Sequence, residues 1–178
     1  DWASESGFYL GAWVSNVDFG SGTAADFEWD LLGGYRGQFT DDLGFDIGYV
    51  QYGFEPGGDK VQFGEAYAGI SYKAVSAKLW YADDFSNTGE SATYLEGNAS
   101  IPLPNDFALA LHAGYSNGDY WDTAYEGGYL DYSIGVTKSL GNFAFVLKWI
   151  DGSDLKATDG TPGDVFTSEG KIQFSVAT

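Results

Sequence analysis

A chain of 178 residues is ordinarily one domain, and residues 1–178 read as a single one. Zero Cys excludes a disulfide scaffold and a Cys-based zinc site, while a mean hydropathy of −0.20 without a long apolar run excludes a transmembrane helix. A net charge of −18 argues against nucleic acid or anionic headgroups as direct partners.

What remains favours strands. Aromatics at 18 % with 26 Gly and only 4 Pro suit a many-stranded antiparallel protein with tight turns. Met is absent even at position 1, which predicts a processed or incomplete chain with no signal peptide left to read.

Ten strands are predicted, in chain order Gly7–Asp18, Ala25–Phe39, Leu43–Phe54, Val61–Lys73, Val75–Asp84, Ala92–Ile101, Asp106–Ser116, Gly127–Leu140, Asn142–Asp151 and Glu169–Ala177. The second shows the pattern best. Phe27, Trp29, Leu31, Tyr35 and Phe39 fall on one side of an extended chain, and Glu28, Asp30, Arg36 and Gln38 on the other. Later strands repeat it with Phe107, Leu109, Leu111, Ala113 and Tyr115, with Leu130, Tyr132, Ile134 and Val136, and with Phe143, Phe145, Leu147 and Trp149. Leu32, Val50 and Val146 are the exceptions that fall on the polar side. Segments of roughly ten residues with one greasy and one charged side are what a tilted strand needs to cross a bilayer. No helix-period stretch competes with them.

The connections alternate in length. Short ones lie at Thr40–Asp42, Ala74, Pro102–Asn105 and Gly141, and long ones near Phe19–Ala24, Glu55–Lys60, Phe85–Ser91, Asn117–Glu126 and Gly152–Ser168. Outer-membrane barrels keep short turns on the periplasmic side and long loops outside. The expected fold is therefore an all-β, transmembrane, antiparallel up-and-down β-barrel in the bacterial outer membrane. Many acids fall in the long connections: Glu55, Asp59, Glu90, Asp119, Asp122, Glu126, Asp154, Asp159 and Asp164. Such a rim attracts cations, most strongly at low salt.

Several blocks carry a family resemblance. They are Ser6–Phe19 (SGFYLGAWVSNVDF), Glu28-Trp29-Asp30-Leu31 with Gly33-Gly34-Tyr35, Phe63–Tyr72 (FGEAYAGISY), Tyr94–Ala99 (YLEGNA), His112-Ala113-Gly114-Tyr115 and Ile172–Val176 (IQFSV). Together they resemble the TorF family of porins, also described as conserved hypothetical proteobacterial proteins, over nearly the whole chain. Two departures stand out. Family members begin with an Asn-Tyr strand and a second strand upstream, and they finish on an aromatic, whereas this chain stops at Thr178. The resemblance implies a parent barrel of about twelve strands, of which about ten lie here, with Asp1–Ser6 as the tail of another.

On the barrel reading, the polar side predicts a pore lining of Glu28, Asp30, Arg36, Asp46, Glu65, Lys78, Asp84, Glu96, His112, Asp131, Lys148 and Lys171. If the turn at Thr40–Asp42 sets Phe39 opposite Leu43, Arg36 lies across from Asp46. If Ile101 lies opposite Phe107, Glu96 lies across from His112. Directly opposed residues have Cβ atoms about 5 Å apart, within reach of an ion pair. Tyr67, Trp80 and Tyr94 are further residues of this side, read as packing among aromatic neighbours more than as a stacking platform for a sugar.

Three chemical motifs are weighed and set aside. Gly114–Gly118 spells G-x-S-x-G, but that string needs a strand–turn–helix setting and an activating base, and the chain's single His is already assigned a partner. Asp83 and Asp84 point to opposite sides of a strand, so they cannot share one site. Asp151, Asp154, Asp159 and Asp164 lack EF-hand spacing and read as a solvated acidic loop.

The expectation is thus a non-enzymatic channel without metal or cofactor, passing small hydrophilic solutes across the lipid bilayer with mild cation preference because acids outnumber bases in its lining. The alternative is a plugged barrel whose acidic loops bind a partner or divalent cations. Small residues at Ala66, Ala68, Gly97 and Ala99 hint at a homo-oligomer contact.

Overall fold

The structure is a computed structural model that describes residues 1–18, 25–57, 61–153 and 170–177. Eleven strands form one antiparallel sheet in strict sequence order: β1 (Trp2–Ala3), β2 (Phe8–Asn16), β3 (Phe27–Gln38), β4 (Leu43–Glu55), β5 (Phe63–Tyr72), β6 (Val75–Ala82), β7 (Ala92–Leu103), β8 (Phe107–Asn117), β9 (Tyr129–Leu140), β10 (Phe143–Ser153) and β11 (Lys171–Ala177). The class is all-β and up-and-down, as the alternation predicts. Among the described residues, no pairing joins β11 back to β1.

Each predicted strand is present within a few residues of its expected ends. The addition is β1, whose Trp2 and Ala3 pair with Leu10 and Tyr9, so the segment read as a strand tail does pair. A second addition is a short helix, α1 (Asp119–Tyr125), inside a connection read as plain loop. A third is a 3-10 turn at Phe85–Asn87, which leaves Asp83 and Asp84 beyond the end of β6.

Turn chemistry fixes the registers. Between β3 and β4 the Phe39 N–H donates to Leu43 O at 2.8 Å, and the Leu43 N–H reaches Thr40 Oγ1 at 3.1 Å. This sets Arg36 directly opposite Asp46. Between β7 and β8, Asn105 and Asp106 both adopt positive φ, +61° and +57°. Two such residues in succession make the turn whose twist matches a hairpin, and Asn and Asp tolerate it better than most side chains.

The described residues divide into two compact units: Asp1–Ile70 with Lys78–Thr93 (unit 1), and Ser71–Ala77 with Tyr94–Thr178 (unit 2). In neither does the large apolar surface go inside. Leu10 and Phe39 of unit 1 are 60 % and 64 % exposed, and Leu147 and Ile172 of unit 2 are 57 % and 76 % exposed. Among the described residues no large side chain is fully buried. The face opposite these apolar rows carries the charged residues, tied to one another.

Candidate functional site

The polar face of unit 1 is organised around Asp46 of β4. Lys78 of β6 donates to its Oδ2 at 3.1 Å, and the Tyr9 hydroxyl of β2 donates to its Oδ1 at 2.5 Å. The Tyr9 and Tyr67 hydroxyls also hydrogen-bond, so Tyr67 acts as donor to the oxygen whose proton is already committed to Asp46. Lys78 lies 4.4 Å from the Tyr67 ring centre and 5.0 Å from that of Trp80, and the two rings are themselves 4.6 Å apart. The Arg36 guanidinium carbon stands 5.3 Å from the Tyr9 ring centre. Cations over aromatic faces gain from the ring quadrupole, most where water is thinned out.

The backbone makes room for this cluster. Gly34 of β3 and Gly48 of β4 are register partners. The Tyr9 ring covers the first and the Tyr67 ring the second, each so closely that a Cβ would collide with it. Glycines side by side leave a notch in the sheet, and two tyrosines from the flanking strands close over it and meet.

A second group on the same face is purely acidic. Asp30 pairs in register with Tyr52, whose hydroxyl is hydrogen-bonded to Glu65, with Glu28 within electrostatic range. Asp30 Oδ1 is buried and has no hydrogen-bond partner among the described residues. Around this group Tyr52 stacks on Phe63 at 4.7 Å, and Phe63 meets Phe85 at 4.6 Å.

Unit 2 solves the same problem with a different hub. His112 of β8 places Nε2 at 2.7 Å from Asp131 Oδ1 of β9 and donates from Nδ1 to Asn98 Oδ1 of β7 at 2.8 Å. Asn98 in turn donates to Glu96 Oε2 at 2.9 Å, which stands 3.8 Å from His112 Nδ1. The Tyr94 hydroxyl lies 3.0 Å from Asp131 Oδ2 and 3.1 Å from His112 Nε2. Next to this network a cavity of about 680 Å³ opens on the polar face, lined by Ser76, Asn98, Ser100, His112, Ser133 and Lys148 among others.

The predicted residues therefore fall into three groups and a remainder. Arg36, Asp46 and Lys78 gather with Tyr9, Tyr67 and Trp80; Glu28, Asp30 and Glu65 gather at Tyr52; Glu96, His112 and Asp131 gather with Tyr94 and Asn98. Lys148 lines the cavity, and Lys171 lies on strand β11, opposite Ile150. Asp84 sits in the loop after β6, where its Oδ1 accepts the Gly89 N–H at 2.6 Å. Tyr9 and Asn98 are the partners that strand-by-strand reading missed: Tyr9 reaches Asp46 across Gly34, where a Cβ would collide with its ring, and Asn98 links Glu96 to His112.

Contacts refine two of the expected pairs. Arg36 is opposite Asp46, yet the carboxylate is held by Lys78 from two strands away while Arg36 stacks on Tyr9. Glu96 does reach His112, but Asp131 and Asn98 are its nearer partners.

Ser116 of the G-x-S-x-G string lies within β8, 3 % exposed, and Gly118 then leads into α1. Asp151 Oδ1 accepts the Gly152 N–H at 2.8 Å, while Asp154, Asp159 and Asp164 lie outside the described residues, as does Asp59. Among the described residues no group of three or more His, Cys, Asp or Glu is placed to hold a metal ion, and no helix is long and apolar enough to cross a membrane.

These features define a class: an all-β meander with apolar side chains exposed on one face and charged ones bound together on the other. The chain belongs to a bacterial family, since all of residues 1–178 match the family model described as "Bacterial protein of unknown function (Gcw_chp)". This accords with the conserved hypothetical bacterial proteins of the sequence resemblance. No curated protein and no solved structure matches the chain.

Proposed function

We propose that this protein is a porin-like channel of the bacterial outer membrane, passing small hydrophilic solutes by diffusion with mild preference for cations and without covalent chemistry. The observation that carries the reading is the inverted polarity. Leu10, Phe39, Leu147 and Ile172 are more than half exposed, while the charged partners Lys78, Asp46, Glu96, His112 and Asp131 have side chains only 19–32 % exposed. A water-soluble protein rarely exposes so continuous an apolar surface, whereas a lipid-facing sheet requires it. Strands of 8 to 13 residues from β2 to β10 fit the span of a hydrocarbon core when tilted. The resemblance to porins points the same way, and the acidic group at Tyr52 supplies a reason for cation preference.

A plugged barrel is the second reading, favoured by one feature: Tyr9 and Tyr67 meet above the glycine notch, with Lys78 and Trp80 beside them, filling space on the polar face. Planar-bilayer recording separates the two. A channel gives discrete conductance steps and, under a potassium chloride gradient, a reversal potential on the cation side. A silent bilayer at protein loads that insert would favour the plugged reading, and an anion-side reversal would overturn the stated preference.

A further inference from the structure

The cavity of unit 2 runs against the charge of the rest of the chain. The protein has 8 Lys and Arg against 26 Asp and Glu, yet this cavity is lined by Lys148, by Lys73 and by the single His, with Asp131 its one acidic lining residue. Asp131 is already engaged, by His112 at 2.7 Å and by the Tyr94 hydroxyl at 3.0 Å. Lys73 is drawn aside, its ammonium 5.2 Å from the ring centre of Tyr72.

Lys148 is different. Among the described residues it makes no ion pair or hydrogen bond, and its stem lies over Gly135, its register partner in β9. The hydroxyls of Ser76, Ser100 and Ser133, which line the same cavity, likewise make no hydrogen bond among the described residues. One lysine and three serines without a side-chain hydrogen bond among the described residues therefore line the same cavity. Their chemistry is that of donors awaiting acceptors.

We propose that this cavity binds a small oxyanion, a carboxylate or a phosphate, with Lys148 as the charged anchor and the serine hydroxyls as supporting donors. Lysine serves as a compact point charge for such groups, and hydrogen bonds to ionised partners are the stronger kind. The net charge of −18 does not forbid it, because at physiological salt fields fade over about 8 Å and the local balance decides. The site goes beyond the channel reading and does not depend on whether the sheet conducts.

Isothermal titration calorimetry of the full chain folded in detergent, with inorganic phosphate and separately with acetate, tests it. A saturable one-site isotherm for either anion is expected, and the stronger of the two identifies the phosphate or the carboxylate source. Lys148→Gln should weaken it by about tenfold or more, the equivalent of one charge-assisted hydrogen bond, while Lys148→Arg stays within a few-fold of the natural protein. Ser133→Ala should weaken it less than Lys148→Gln does. Far-ultraviolet circular dichroism of each variant guards against misfolding, and the Arg variant keeps the test open if the Gln variant does not fold. No saturable binding of either anion, or equal binding in natural and Lys148→Gln protein with the same strand signal, would overturn the proposal.

Discussion

The two polar clusters answer one physical demand in opposite ways. Unit 1 centres on a carboxylate and surrounds it with a lysine, two tyrosines and a tryptophan; unit 2 centres on an imidazole and surrounds it with two carboxylates, an amide and a tyrosine. In unit 1 the cation keeps its aromatic faces even if the acid is lost. In unit 2 nothing else among the network's members is basic, so losing the hub leaves acids facing acids. Redundancy, more than the number of hydrogen bonds, should decide how each cluster tolerates damage.

The sharpest way to break the contrast is Gly48→Val. A branched side chain there must push Tyr67 off the notch and separate it from Tyr9, so stability should fall by about 3 kcal/mol, the upper part of the range for overpacking, in urea titrations of the detergent-folded protein. A loss under about 0.5 kcal/mol would match an ordinary surface site and show that the notch is not closed. Next comes the pair of hub removals, measured in the same titrations. His112→Ala should cost about 2 kcal/mol, because Glu96 and Asp131 then lose the group between them. Asp46→Ala should cost less, about 1 kcal/mol, since Lys78 keeps its place over the Tyr67 and Trp80 rings. Equal losses for the two hub variants would remove the contrast between the clusters. The smallest effect is expected from Tyr94→Phe, about 0.5 to 1 kcal/mol, because Asp131 keeps His112 when the hydroxyl goes. A loss as large as that of His112→Ala would make the tyrosine a second hub.

Much of this arrangement is legible in the residues, and the boundary is physical. Period-two alternation marks the strands because one side must meet apolar surroundings and the other must not, and the short Thr40–Asp42 turn is enough to place Arg36 opposite Asp46. What alternation cannot say is which polar group captures which. Lys78 reaches Asp46 from two strands away, because side chains on one face compete for partners beyond their register neighbours. The helix α1 is hidden for another reason. Seven residues make barely two turns, Gly118 offers no side-chain cap, and one i,i+3 pair of acids with one i,i+4 pair of aromatics, Trp121 and Tyr125, is too short a run to stand out as a helical period. Asp84 misleads in turn, since its carboxylate ties a loop at Gly89 where alternation alone would continue the strand.

The glycine notch has a consequence for how the sheet finds its register. A slip of one residue between β3 and β4 would swap the two faces and is rejected by the apolar pattern itself. A slip of two residues is invisible to that pattern, because every greasy side chain stays on the greasy side. It would, however, take Gly34 away from Gly48 and set the bulk of Asp46 or Val50 across from it, where the Tyr9 and Tyr67 rings meet. Two missing side chains thus act as a proofreading mark, penalising the one class of misalignment that hydrophobicity overlooks.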